Sequence, residues 1–398
     1  RDLRVPERLV RLMRAPCLAV LVGVVACLCA VEVCEMAPLT NRRWVLARDV
    51  KGKTTEGDFR RADTRVDDAQ LKDGEVMLKQ LLISFDPAQR TWLTDSSYVT
   101  KIKVGEVMRA ISLSRVVASK HPDWQAGDLV RCLGGWQDYL IISPDEVKKA
   151  DAIADPKERL TRQSERLAKV VLPPGVPMEL GISLFGVTGL TAYVGLVKVG
   201  RVKEGQTVLV SAAAGATGSV VGQLAKAYGA KTVVGIAGGP EKCKFLVETL
   251  GFDAAIDYKS QETKRKGLRR CIMERCPEGV DLFFDNVGGE TLEAGISCLR
   301  EFGTVVLCGA IGEYQKPSKE IAGIRNYFEL VKKSARVEGF LVPRFASSFG
   351  EAVDELGRLS KSGQIHQAHD IQAGFESLPK TFIRLFEGRN TGKLLCKL

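Results

Sequence analysis

The stretch Thr207–Gly222, TVLVSAAAGATGSVVG, constrains what this chain can fold into more than any other. A β-rich run, Thr207 to Val210, ends in small residues, Gly215 and Gly218 follow, and apolar residues at Val220, Val221, Leu224 and Ala225 recur at helical spacing. The pattern predicts a strand, a tight turn and a helix. Gly215 would let the backbone come close to a pyrophosphate, Gly218 would let helix and strand pack closely, and the helix N-terminus would aim free N–H groups at the anion. Ala213 stands where such a motif has its first glycine, so AxGxxG alone reads equally as a Gly/Ala-rich helix start. Its weight comes from the βαβ pattern around it.

That pattern continues downstream. Strands are predicted at Thr232–Ile236, Ala254–Asp257, Val280–Asp285, Thr304–Cys308 and Val337–Leu341, with helices at Glu241–Leu250, Thr291–Leu299 and Asn326–Ser334. Alternation of this kind implies a six-stranded parallel sheet with helices on both faces. Upstream, short β-type runs at Trp44–Leu46, Val76–Ile83, Lys103–Val107, Ser114–Ala118, Leu129–Cys132 and Tyr139–Ile142 suggest a small β-rich domain. Trp136 and Tyr139 read either as pocket lining or as core. Lys148–Lys169 is a charged surface excursion, and Leu180–Val197 is apolar enough for one or two buried helices. Beyond Leu341, helices near Ser347–Ser360 and Leu378–Phe386 and a β-type run at Lys393–Lys397 would rejoin the first domain.

At 398 residues there is room for more than one core. The net charge of +10 suits an anionic ligand, a nucleic acid or a membrane surface. No basic stripe is interleaved with aromatics, and Lys264–Arg270 (KRKGLRR) reads as a solvated helix face ahead of a localisation signal. The 11 cysteines lack paired spacing, and the only histidines are His121, His366 and His369, which argues against a disulfide framework and a catalytic zinc. Arg1–Arg14 is basic and Ala15–Val31 apolar, long for a signal-peptide core and short for a membrane span. Met36 opens an ordinary cytosolic-looking start, so residues 1–35 are expected to be a leader or gene-model extension outside the fold.

An NAD site carries an acidic residue about 20 residues past the glycines for the ribose 2′-hydroxyl. Here the second strand runs into Ala237-Gly238-Gly239 with no carboxylate, and Lys242 follows. An ammonium would welcome a 2′-phosphate, so NADP(H) is the expected cofactor.

From Arg42 onward the chain resembles the zinc-free branch of the medium-chain dehydrogenase/reductase superfamily, in particular its NADP-dependent leukotriene B4 12-hydroxydehydrogenase, prostaglandin reductase and curcumin reductase group. The stretches that carry the resemblance are NRRWVLA (Asn41–Ala47), GWQDY (Gly135–Tyr139), TGLTAYVGL (Thr188–Leu196), SAAAGATGSVVGQLAK (Ser211–Lys226) and AGGPEKCKF (Ala237–Phe245). DNVGGE (Asp285–Glu290), CGAIGEY (Cys308–Tyr314), GFLV (Gly339–Val342) and GRNTGK (Gly388–Lys393) complete them.

The resemblance implies an α/β fold: a doubly wound Rossmann NADP-binding domain, residues 179–343, joined to a GroES-like β-rich catalytic domain, residues 36–178 and 344–398. It implies that Gly215, Ala216, Thr217 and Gly218 hold the pyrophosphate, that Lys242 and Tyr258 hold the adenosine phosphate, and that Asn286 lies near the cofactor. Cys308, Gly309, Ala310, Ile311, Tyr314, Phe340, Leu341, Val342 and Asn390 would surround the nicotinamide half. The implied reaction is reduction of the C=C bond of an enal or enone, with hydride passing to the β-carbon. The enolate oxygen would be stabilised by a hydroxyl of Tyr314 or Tyr98 in the absence of zinc, and water could supply the α-proton.

The resemblance further implies a small-molecule enone or enal partner and a homodimer, with no nucleic acid and no membrane expected for the mature protein. The expected location is the cytoplasm, with a secreted or anchored form as the alternative that the apolar N-terminal stretch leaves open. Departures fall at Asp86-Pro87-Ala88-Gln89-Arg90, at Ile111-Ser112-Leu113-Ser114, where glycine-rich sequence is expected, and at Gln367, where the group often has tyrosine. These bear on substrate identity. The rival readings are a quinone reductase of the same superfamily and a non-catalytic NADPH-binding protein.

Overall fold

The computed structural model describes residues 38–95 and 97–398. The apolar Ala15–Val31 run therefore lies outside the described residues. Among the described residues no helix is long and apolar enough to cross a membrane.

The chain opens with four three-residue strands, β1 (Leu39–Asn41), β2 (Trp44–Leu46), β3 (Phe59–Arg61) and β4 (Thr64–Val66), which form two small antiparallel ribbons, β1 with β4 and β2 with β3. The main antiparallel sheet contains β5 (Val76–Ser84), β6 (Ser112–Ser119), β7 (Leu129–Cys132), β8 (Tyr139–Ile142) and β9 (Ala168–Lys169). Its core is aromatic: Trp136, fully buried, lies 4.8 Å from Phe59, 5.8 Å from Phe85 and 5.6 Å from Phe382, ring centroid to centroid. Trp136 is thus core. Lys103–Val107 is a correction to the expected strands: Gly105 turns there with φ of 91°, and only Val107 bridges to Val45. The charged excursion contains the short helix Pro156–Ser164 and follows another, Pro144–Lys148, each started by a capping side chain, Asp155 or Ser143, and a proline in the first turn.

The second sheet is parallel, in the order β12-β11-β10-β13-β14-β15. Its strands are β10 (Thr207–Val210), β11 (Thr232–Ala237), β12 (Ala254–Asp257), β13 (Val280–Asp285), β14 (Leu299–Leu307) and β15 (Arg336–Gly339). Side chains alternate between its two faces. Val208 and Val210 enter one core with Leu190, Val220, Val221 and Leu224, while Leu209 enters the other with Ile272, Phe283 and Ile296. Continuous β-branched runs are what a strand buried on both faces requires. The strand order reverses between β10 and β11 on one side and β13 on the other, which opens a crevice at the carboxyl ends of the strands.

The C-terminal part returns to the antiparallel sheet. β16 (His369–Ala373) pairs with β17 (Lys393–Lys397), and β17 pairs with β5. The helix Phe349–Lys361, however, sends Ala352, Leu356 and Leu359 into the same core as the parallel sheet.

Candidate active site

Beyond β10 the chain turns through Ser211–Gly215 into the helix Ala216–Ala227. The Gly215 N–H donates to the Ala212 carbonyl at 2.9 Å, and Ala212 takes a left-handed φ of 47°. A Cβ on Gly218 would stand 2.5 Å from that same carbonyl oxygen, so the helix approaches the strand this closely only with glycine there. The first helical hydrogen bond comes from the Ser219 N–H to Gly215. The N–H groups of Ala216, Thr217 and Gly218 are left without acceptors inside the helix, the geometry of an anion cradle.

The turn is locked from the neighbouring strand by Asp285, at the end of β13. Its buried carboxylate accepts from Ser211 Oγ at 2.6 Å and from the N–H groups of Val287 at 3.2 Å and Gly288 at 2.8 Å. Burial raises its pKa against these donors. Asn286 belongs to the same lock: its N–H donates to Ser211 Oγ and its Nδ2 to the Ser211 carbonyl, each at 2.8 Å. Its carbonyl accepts from the Ile311 N–H at 3.1 Å, which fastens the loop after β14 to the glycine turn.

That loop carries Cys308–Tyr314. The Ala310 N–H donates to the Tyr314 hydroxyl oxygen at 3.0 Å. The hydroxyl thereby acts as acceptor toward the backbone and retains its own hydrogen to donate. Burial lifts the Tyr314 phenol to about 12 against that hydrogen bond, so it stays protonated at neutral pH. Tyr98 comes from the other sheet's side. Its pKa too is raised, mainly by burial, with the Trp92 indole opposing and Asp86 and Cys308 adding to it. Tyr98 packs against the core that holds Trp92 and Trp136, and the electrostatics of Tyr98 and of Cys308 both reach Tyr314. Burial and Asp285 push the Cys308 thiol up to about 12, which keeps it protonated.

A second cationic corner lies past β11. Lys242 Nζ donates to the Gly388 carbonyl at 2.7 Å. Its pKa is lowered by burial and by the neighbouring charges of Lys259 and Arg384, with Asp370 opposing. A Cβ on Gly238 would stand 2.9 Å from both Lys259 Cε and Tyr258 Cε1, so the backbone there is a floor under those two side chains. The exposed Tyr258 ring lies 5.7 Å from Lys259 Nζ. A lysine whose basicity is lowered by burial beside further cations suits a phosphate dianion.

Asn390, buried, donates from Nδ2 to the Gly392 carbonyl at 3.0 Å, and the Gly392 N–H donates to the Ala214 carbonyl at 2.8 Å. The segment before β17 therefore lies against the glycine turn. Phe340 points elsewhere: its ring packs at Gly195 and Phe345, with Val342 in the same core. Leu341 lies between them, at the end of β15's connection to the next helix. Sequence reasoning missed Ser211, Asp285, Lys259 and Arg384. An acid closing a parallel strand beside the glycine turn was the available signal for Asp285. Among the described residues no group of three or more His, Cys, Asp or Glu side chains could hold a metal ion.

Residues 42–150 match the family described as the N-terminal domain of oxidoreductase, and residues 216–358 match the one described as zinc-binding dehydrogenase. The chain is 34% identical to the NADPH-dependent curcumin reductase of Escherichia coli over 364 residues, 90% of this chain and 97% of that protein. It is 33% identical to the NADP(+)-dependent 2-alkenal reductase of Nicotiana tabacum, over 89% of this chain and 96% of that protein. The crystal structure of CurA from Vibrio vulnificus in complex with NADPH superposes with a TM-score of 0.78 at 31% identity, covering 89% of this chain and 98% of that one.

Proposed function

Because the chain belongs to the zinc-free medium-chain dehydrogenase/reductase family, we propose that it is an NADPH-dependent reductase of the C=C bond in α,β-unsaturated aldehydes and ketones. The observation that carries the reading is the Tyr314 hydroxyl, which accepts from the Ala310 amide and keeps its proton for a developing oxyanion. The fit to the cofactor rests on the Gly218 contact, which only glycine tolerates, and on Lys242 and Lys259 around the Gly238 floor. The N–H groups of residues 216–218 would hold the pyrophosphate. Lys242, Lys259 and Tyr258 would hold the 2′-phosphate end. Asn286, the Cys308–Tyr314 loop and Asn390 border the nicotinamide half, and the backbone from Phe340 to Val342 closes it. When bound, NADPH supplies the hydride.

The protein's part is electrostatic. As the β-carbon is reduced, negative charge moves to the carbonyl oxygen, where Tyr314 and Tyr98 donate hydrogen bonds. Preorganised donors of this kind are worth about 10²–10³ in rate each. Neither tyrosine need give up its proton, because water can protonate the α-carbon.

In this reading the chain divides into residues 36–178 and 344–398 against 179–343; the pairing of β17 with β5 supports the division, while the helix Phe349–Lys361 packs on the nucleotide side. A homodimer is part of the same proposal. β15 is the outer strand of the parallel sheet, and beside it Phe302, Tyr327, Phe328 and Val331 are all more than 60% exposed. The Phe302 N–H donates to the Lys333 carbonyl, which joins these residues into one apolar edge suited to a second copy. Light scattering on the purified protein tests this, and a monomer at micromolar concentration removes it. The reading also places the protein in the cytoplasm.

The functional test is NADPH consumption with 2-alkenals, an aryl enone and a quinone, with products identified by mass. Saturated carbonyl products establish the activity. Hydroquinone alone transfers the protein to the quinone reductases.

A further inference from the structure

A corner that takes a 2′-phosphate should be free of carboxylates, because an acid there is what binds the 2′-hydroxyl in an NAD site. The sequence just after β11 carries none, but the fold brings one in from the far end of the chain. Asp370 of β16 pairs with Arg384 of the helix Leu378–Phe386, Nη2 to Oδ2 at 3.0 Å. The same Nη2 donates to the Arg389 carbonyl at 3.4 Å, and the preceding carbonyl, of Gly388, accepts from Lys242 Nζ at 2.7 Å. Lys242, Arg384 and Asp370 are thus joined through two consecutive peptide groups. The segment then runs on to Gly392, whose N–H holds the Ala214 carbonyl, so it spans from the Lys242 corner to the glycine turn.

Local structure does not account for the pair. Arg384 lies in the last turn of its helix, where a cation is favourable without any carboxylate partner. Asp370 has a donor of its own, Gln372 Nε2, at 2.6 Å from Oδ1. The two side chains are 34% and 15% exposed, a setting in which an ion pair adds little stability. The effect of the pair falls instead on the corner's field: the charges of Arg384 and Asp370 reach the Lys242 ammonium with opposite sign. With the pair formed, the carboxylate is neutralised at its source, and Lys242 and Lys259 face an incoming anion unopposed. With Arg384 gone, the carboxylate would compete for Lys242 and repel a phosphate dianion while tolerating a hydroxyl.

We infer that Arg384 is a positioning residue that sets cofactor specificity: it masks the Asp370 carboxylate and so keeps this corner selective for a 2′-phosphate over a 2′-hydroxyl. This rests on the reading that Lys242 takes that phosphate. Arg384 acts through Asp370 and need not touch the ligand.

The test reads binding, with no turnover. Adenosine 2′,5′-bisphosphate and AMP, which differ only in the 2′-phosphate, are titrated calorimetrically into the native protein, Arg384→Gln, Asp370→Asn and the double variant. In Arg384→Gln the Kd for the bisphosphate should rise about fivefold, as for loss of one partly exposed charge contact, with that for AMP unchanged. Asp370→Asn should bind the bisphosphate at least as tightly as the native protein does. The double variant should return to the native Kd, because the charge that Arg384 masks is gone. In 31P NMR the bound 2′-phosphate should titrate at higher pH in Arg384→Gln, where a carboxylate opposes the dianion, and return in the double variant.

Recovery in the double variant supports the mask. A loss that Asp370→Asn does not recover overturns it and makes Arg384 a direct phosphate ligand. Equal loss for both nucleotides, or no loss, also overturns it and leaves Arg384 a helix-terminal cation. Should Arg384→Gln not fold, Asp370→Asn still decides, because weaker binding of the bisphosphate there shows a carboxylate that helps binding and refutes the inference. A preference for the bisphosphate that survives intact in Lys242→Ala would overturn the underlying reading of the corner instead.

Discussion

Lys242→Ala separates recognition of the 2′-phosphate from everything else the site does. The Lys242 ammonium is half-buried, 2.7 Å from the Gly388 carbonyl, with Lys259 and Arg384 nearby and Asp370, which pairs with Arg384, opposing them. A phosphate there would gain a charge-assisted hydrogen bond, worth about 1.5–3 kcal/mol. By the tenfold-per-1.4 kcal/mol relation, the Kd for NADPH should rise about 10- to 150-fold. The Gly388 carbonyl also loses its donor, at about 1 kcal/mol, but that cost falls on the protein whichever cofactor binds. The ratio of NADPH to NADH affinity therefore isolates the phosphate contact. Binding is read by quenching of intrinsic fluorescence or by calorimetry, with both cofactors on both proteins. Because burial and Lys259 lower the Lys242 pKa, selectivity for NADPH in the native protein should begin to fall at a pH below the usual lysine range. Equal weakening toward NADPH and NADH in Lys242→Ala would refute the assignment, and an unchanged NADPH affinity would transfer the role to Lys259.

Tyr314→Phe removes the hydroxyl that accepts from Ala310, and kcat for an enone should fall about 10²-fold while the NADPH Kd stays within about twofold, as steady-state and binding measurements together will show. Gly218→Ala places a methyl group 2.5 Å from the Ala212 oxygen and should destabilise the protein by about 1–3 kcal/mol in urea denaturation and weaken NADPH binding with it. Asp285→Asn sets an amide against three donors and should cost about 2–4 kcal/mol. The same residue gives a pH signature. Its folded pKa is raised above the unfolded value, so its contribution to stability is full below the ordinary carboxylate range and declines as pH rises through the folded pKa. Thermal melts across that range should show this slope in the native protein and a flatter one in the variant.

The parallel sheet was legible because its strands are buried on both faces: unbroken runs such as Thr207–Val210 need no partner to be read. The edge ribbons β1, β3 and β4 were not legible, since three-residue strands exposed on one side carry no alternation to detect. Lys103–Val107 has β-type residues but a glycine in the left-handed region, and that glycine makes it a turn. The motif residues Gly218, Asn286 and Tyr314 could be named from their local sequence. Their supports could not. Ser211 and Asp285 are 74 residues apart and meet only because β10 lies next to β13. The ring of Phe340 shows the converse, a motif residue whose side chain packs into the fold at Gly195.

The most direct test of the central claim follows the hydride. Turnover of a 2-alkenal with NADPH deuterated at its transferable position, with the product analysed by NMR, should yield the saturated aldehyde bearing one deuterium on the β-carbon. Deuterium on the carbonyl carbon of an allylic alcohol, or none in any reduced enal or enone, would contradict the account.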